Sequence, residues 1–126
     1  MSDNKSAGFI NLSNHPSSRW TAHQLDCAQE YGRVIDLPFP PIDPYCSSGE
    51  IDEIVDQYYQ RIMTYRKPVV MLQGEYVFTY RLTCRLKAAD IKVLAGCSER
   101  RTIEYTDNEG MTARRSEFEF VMFKEY

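Results

Sequence analysis

Apolar residues follow two rhythms along this chain, short unbroken runs and runs that recur every three to four positions. Gly8-Phe9-Ile10-Asn11-Leu12 is a brief apolar stretch that stops at Ser13-Asn14-His15-Pro16. Arg33-Val34-Ile35-Asp36-Leu37 stops at Pro38-Phe39-Pro40-Pro41, Val69-Val70-Met71-Leu72 at Gln73-Gly74-Glu75, and Ile91-Lys92-Val93-Leu94-Ala95 at Gly96-Cys97-Ser98. Runs of this length bounded by turn residues predict strands. The continuous apolar character of Val69 to Leu72 is that of a central parallel strand buried on both faces.

The helical rhythm fills the intervals. Thr21 with Gln24 makes a capping box, Trp20 and Leu25 have the spacing of a hydrophobic staple, and Gly32 is a natural C-cap, which predicts a helix from about Ala22 to Gly32. Ser47 with Glu50 makes a second capping box, and Ile51, Ile54, Val55, Tyr58, Ile62 and Tyr65 then recur along one helical face. Gln73-Gly74-Glu75 turns the chain into a third helix, roughly Tyr76 to Ala89. Near the end, Arg101 to Thr106 and Ser116 to Tyr126 are strand-like and joined by Asp107-Asn108-Glu109-Gly110, which reads as a hairpin turn. There Phe118, Phe120 and Met122 alternate with Glu117, Glu119 and Val121, so one face of the last strand is expected to be buried.

Strands alternating with helices call for right-handed crossovers and an α/β fold: a mainly parallel sheet with helices on both faces, closed by a C-terminal β-hairpin. The chain has 126 residues, which favours one domain over 1–126, with the polar residues 1–7 read as a flexible end. Its 43% hydrophobic and 13% aromatic content fills one core without staples. Fifteen Lys plus Arg against 18 Asp plus Glu give a formal charge of -3, so there is no global positive field to hold a nucleic-acid duplex. Any anionic ligand has to be held locally. No apolar run is long enough to span a membrane, and Met1-Ser2-Asp3-Asn4-Lys5 lacks the features of a signal peptide, so a cytoplasmic location without membrane contact is expected. Cys27, Cys46, Cys84 and Cys97 form no C-x-x-C pair and read as reduced, mostly packed thiols, with no metal site expected.

In an open parallel sheet, ligands bind at the carboxyl ends of the strands. That rule selects Ser13-Asn14-His15, Gln73-Gly74-Glu75 and Cys97-Ser98-Glu99-Arg100-Arg101 as candidate loops. Gly74 would let a ligand approach the backbone, and free amides at the start of the third helix would suit an anion. Ser13, Asn14, Gln73, Thr79 and Ser98 can donate hydrogen bonds, and Arg100 and Arg101 can each grip a phosphate. Each also has a plainer reading. Gly74 shapes a turn, His15 is a loop histidine beside Pro16, and Glu75 complements the helix dipole. Arg100 with Arg101 and Arg114 with Arg115 are solvated charges, Glu104 pairs with an arginine across the hairpin, and Tyr58, Tyr59 and Tyr65 pack the helix or form a dimer surface. No G-x-G-x-x-G or P-loop lysine motif is present, which argues against nicotinamide cofactors and ATP hydrolysis.

The run Val70-Met71-Leu72-Gln73-Gly74-Glu75-Tyr76-Val77-Phe78-Thr79-Tyr80, then Cys97-Ser98-Glu99-Arg100-Arg101-Thr102-Ile103-Glu104, and the closing Phe118-Glu119-Phe120-Val121-Met122-Phe123-Lys124-Glu125-Tyr126 resemble the small stand-alone CARF-fold proteins of type III CRISPR systems. Asn11-Leu12-Ser13-Asn14-His15 is similar to that group's F-N-H opening. The resemblance implies a Rossmann-like homodimer that binds a cyclic oligoadenylate, most readily cyclic tetra-adenylate, across its two-fold axis. In the ring-nuclease members the ring is cleaved and antiviral signalling is switched off. No metal or cofactor is implied, because the ribose 2'-hydroxyl attacks its own phosphodiester.

Carried over, the resemblance makes Ser13, Asn14, His15 and Arg100 the catalytic set. With the loop residues already named, the expected ligand-binding set is Asn11, Gln73, Gly74, Glu75, Phe78, Thr79, Ser98 and Arg101, of which the resemblance itself puts Gln73, Gly74 and Thr79 on the ring's backbone. Glu99 stands where the group often carries lysine, which removes one phosphate partner. The expectations from other classes are a sensor or sponge that holds the ring without cutting, and a nucleoside-modifying enzyme whose carboxylate would be Glu75 or Asp36.

Overall fold

The computed structural model describes residues 8–126, so the end read above as flexible, residues 1–7, lies outside the described residues. Strands β1 (Gly8–Leu12), β2 (Arg33–Asp36), β3 (Val69–Leu72), β4 (Lys92–Thr106) and β5 (Thr112–Glu125) form one sheet in the order β2-β1-β3-β4-β5. The first four run parallel, and β5 pairs antiparallel with β4. Helices α1 (Ala22–Gln29), α2 (Ser48–Ile62) and α3 (Tyr76–Ala88) are the crossovers. This is the expected Rossmann-like α/β domain.

Local chemistry explains the elements. Thr21 accepts from the Gln24 amide at the start of α1, and Gly32 adopts a positive φ of 138° beyond its end. Ser47 and Glu50 complete a reciprocal capping box on α2. Asp107 Oδ1 accepts from the Glu109 and Met111 amides in the final turn, where Gly110 takes φ of 78°.

The sheet divides two interiors. Ile10, Leu12, Val70, Leu72 and Val93 meet α2 and α3 through Ile51, Val55, Ile62, Phe78, Leu82 and Leu86. On the opposite side Phe9, Met71 and Leu94 meet only Ala28 of α1, with Trp20 and Phe123 closing over them. The α2 tyrosines behave as packing residues: Tyr58 sets its ring edge-on to Phe78 and donates to the Pro38 carbonyl, and Arg85 lies over Tyr59.

Two expectations for the C-terminal region are corrected. Residues 97–101 are no loop, because the two strands expected at Ile91–Ala95 and Arg101–Thr106 are joined in the single strand β4, which starts at Lys92. Cys97 pairs with Met122 and Ser98 with Phe120, so Val121 is left over as a bulge. The bulge shifts the alternation: Phe120 joins Phe123, ring centroids 4.7 Å apart, while Met122 sits across from Cys97 on the other side. Only Phe120 of the three alternating residues is buried, and Phe118 is 76% exposed. Beyond the bulge the two strands continue as a ribbon with water on both sides, and such a ribbon does not need an apolar face that a sequence would reveal.

Candidate functional site at the carboxyl edge of the sheet

The chain runs from β1 outward to β2 and then returns past β1 to β3, so the connections after β1 and β3 leave on opposite faces of the sheet. The gap between them is a topological switch point, the place where open α/β sheets bind ligands. A cavity of about 410 Å³ opens there, within the range of about 300–1,000 Å³ of small-molecule sites. Ser13, Asn14 and His15 come to it from β1, Gln73 and Gly74 from β3, and Gly96 and Ser98 from the body of β4.

The β1 connection is held by a buried polar network. Asn11, 2% exposed, donates through Nδ2 to the His15 carbonyl and to Asp36 Oδ1, both at 2.9 Å, and its Oδ1 accepts from Ser13 Oγ at 2.7 Å. Asp36 stands beside Asn11 in the sheet and also accepts from the Ser17 amide and hydroxyl. Asn11 and Ser13 thus shape the turn through their side chains, while Ser13 also lines the cavity. Their order fixes the backbone of His15, whose ring is exposed and has no hydrogen-bond partner among the described residues. Asp36 likewise anchors the 3-10 turn at Ser17–Arg19, which carries Arg19 to the cavity.

At the end of β3, Gln73 Oε1 accepts from the Gly96 amide at 2.7 Å, which orients the carboxamide and leaves its Nε2 as a donor. A Cβ on Gly96 would crowd that oxygen at 2.9 Å. Gly74 lines the cavity and also answers a packing need, because a Cβ there would lie 2.2 Å from the Phe39 ring. Glu75 is the N-cap of α3 and accepts from the Phe78 amide at 2.7 Å. Its carboxylate occupies the helix terminus proposed for an anion. With Asp36 tied to Asn11 and Ser17, both carboxylates named for nucleoside chemistry have structural work.

Three further expected ligand residues lie elsewhere. Phe78 is fully buried between the Phe39 and Tyr58 rings. Thr79 sits on α3 outside the cavity lining, its hydroxyl buried and without a partner among the described residues. Arg101 hydrogen-bonds Glu119, which raises the guanidinium pKa and keeps its charge engaged. Arg100 also lies outside the lining and donates to Ser116 Oγ at 3.2 Å. Glu104 pairs with Arg114 across the hairpin at 3.1 Å, as its plainer reading expects.

Arg19, Trp20, Gln24 and Phe120 line the cavity without having been singled out as site residues. The signal for the first two was available: the connection after β1 runs on to the Thr21 cap, so all of 13–20 belongs to the sheet's carboxyl edge. Phe120 could not be placed without the Val121 bulge.

The lining is electrostatically one-sided. It carries Arg19 and no carboxylate, although the chain has 18 Asp plus Glu. Trp20 and Phe120 supply aromatic walls, supported by Phe123 at ring distances of 6.4 and 4.7 Å. Among the described residues no three His, Cys, Asp or Glu side chains converge as a metal site, and all four cysteines are free, Cys84 exposed and the others half-buried. Outside the cavity lining, Tyr126 donates to the Leu72 carbonyl at 2.7 Å, and its phenol pKa is raised first by burial and then by Cys97.

The family described as the Uncharacterized protein MJ1673 family matches residues 7–124, and the chain belongs to it. No curated protein and no solved structure matches the chain.

Proposed function

We propose that this member of the MJ1673 family binds a cyclic oligoadenylate at the switch-point cavity and opens the ring as a homodimer. The observation that carries the reading is the lining itself: one arginine with no ion-pair partner among the described residues, amide donors, two aromatic walls and no carboxylate, in an otherwise acidic chain. Aromatic faces suit an unstacked base, and Arg19 with Gln73 Nε2 suits the phosphate beside it. A cavity of about 410 Å³ is of single-nucleotide scale, so a larger ring is shared between two copies around a two-fold axis.

Cleavage follows the metal-independent route. The ribose 2'-oxygen forms a bond to the adjacent phosphorus while the bond from phosphorus to the 5'-oxygen breaks, leaving a 2',3'-cyclic phosphate and a 5'-hydroxyl. The proton lost from the 2'-hydroxyl is balanced by one gained at the 5'-oxygen. His15 is the titratable group at the cavity mouth able to carry a proton in either direction, and Arg19 stabilises charge at phosphorus.

Incubation with cyclic tetra-adenylate in the presence of EDTA tests the chemistry. Linear product is expected from the native protein, with His15→Ala at least about 100-fold slower. Absence of product would remove the cleavage claim and leave binding. That second reading, a sensor or sponge, is favoured by the commitment of the Ser13 hydroxyl to Asn11 and by the position of Arg100 outside the cavity. Absence of binding would remove both.

A further inference from the structure

We infer that the cavity-side face of the β4–β5 ribbon is a second nucleotide subsite, where Phe118 stacks a base and Arg100 meets its phosphate. The inference rests on the oligoadenylate reading of the cavity and says which part of the ligand leaves it. Directly paired residues of an antiparallel ladder share a face. Ser98 pairs with Phe120, and both line the cavity; the next pair on that face is Arg100 with Phe118, followed by Thr102 with Ser116. The Val121 bulge creates this continuity, because without it Phe120 and Phe118 would fall on the side opposite Phe123.

The two sides of the ribbon differ in charge. On the cavity side Glu104 and Arg114 neutralise each other, and Arg100 has a neutral hydroxyl as its partner. On the other side Glu99, Glu117 and Glu119 outnumber Arg101 and Arg115, which are paired with Glu119 and Glu117. Among the described residues of the ribbon, the cation without a carboxylate partner therefore sits beside the cavity. The exposed aromatics differ in the same way. Tyr105, on the acidic side, lies under Arg115 at 5.7 Å, whereas Phe118 is 76% exposed and has no ring or cation against it among the described residues. An open aromatic face on a sheet, next to an arginine with no carboxylate partner among the described residues and continuous with a base-sized cavity, matches the way single-stranded nucleotides are held.

Titration of the full chain with adenosine 5'-monophosphate and with cyclic tetra-adenylate tests the subsite. The ring should bind more tightly than the monophosphate. Phe118→Ala and Arg100→Ala should each weaken the ring about tenfold or more and leave the monophosphate unchanged, since stacking of one base accounts for losses of that order. Both side chains are exposed, so melting temperatures should stay native. Unchanged ring affinity in both variants would overturn the inference while the cavity reading stands. Equal loss for both ligands would also overturn it, by placing the residues in the cavity. If the variants instead turn a dimer into monomers by sedimentation without altering monophosphate affinity or ring affinity per subunit, the face is a contact between copies. Failure of the native protein to bind either ligand would bring down the cavity reading and the subsite with it.

Discussion

The two sides of the sheet have been finished differently. One side is roofed by α2 and α3, fifteen and thirteen residues long, over a cluster of thirteen buried residues. The other has only the eight-residue α1 over four. A helix that short leaves the carboxyl edge uncovered, and the cavity occupies the space it does not fill. The polar network of Asn11, Ser13 and Asp36 rims this open side, where a dry core would have left those groups without partners. On the proposed function, stability and recognition fall on opposite faces, and substitutions on each should be separable.

The largest effect belongs to the roofed side. Leu82→Ala removes a fully buried side chain from α3 and should lose about 2–5 kcal/mol in urea unfolding, with affinity for cyclic tetra-adenylate unchanged for the folded fraction. A parallel loss of affinity would mean the faces are coupled. Tyr126→Phe is intermediate. It deletes the bond to the Leu72 carbonyl and should lose about 1 kcal/mol at neutral pH. Because burial raises the Tyr126 pKa, the folded chain keeps a proton that the unfolded chain releases near pH 10. Its contribution is full below that pH and disappears as pH rises through the raised value, so the variant should show a shallower alkaline loss of stability. The smallest change in stability belongs to the open side. Arg19→Ala should alter unfolding by less than about 0.5 kcal/mol yet weaken adenylate binding about tenfold.

The roofed side was largely legible from the residue pattern. The Ser47 and Glu50 box, the apolar stripe of α2 and the unbroken Val69 to Leu72 run each reflect burial against regular structure, which leaves a periodic trace. The open side was legible only in part. The loops after β1 and β3 follow from topology, and they do bring His15 and Gln73 to one cavity. What the residue pattern concealed was geometry between distant segments. Gly74 answers to the Phe39 ring, Glu75 closes its own helix, and Asp36 braces Ser17. The β4–β5 ribbon was the least legible, because a stretch such as Ser98-Glu99-Arg100-Arg101 in water on both faces has the composition of a loop. One bulged residue, Val121, then decides which aromatic rings face the cavity.

The central claim is that the acid-free cavity at the switch point holds an adenylate ring shared by two chains. Native mass spectrometry of the protein mixed with cyclic tetra-adenylate and EDTA reads stoichiometry and turnover together. The account predicts one ring for every two chains at early times, giving way to linear products that end in 2',3'-cyclic phosphate. Spectra that contain only free chains, across a range of ring concentrations and times and with the ring intact, would contradict it.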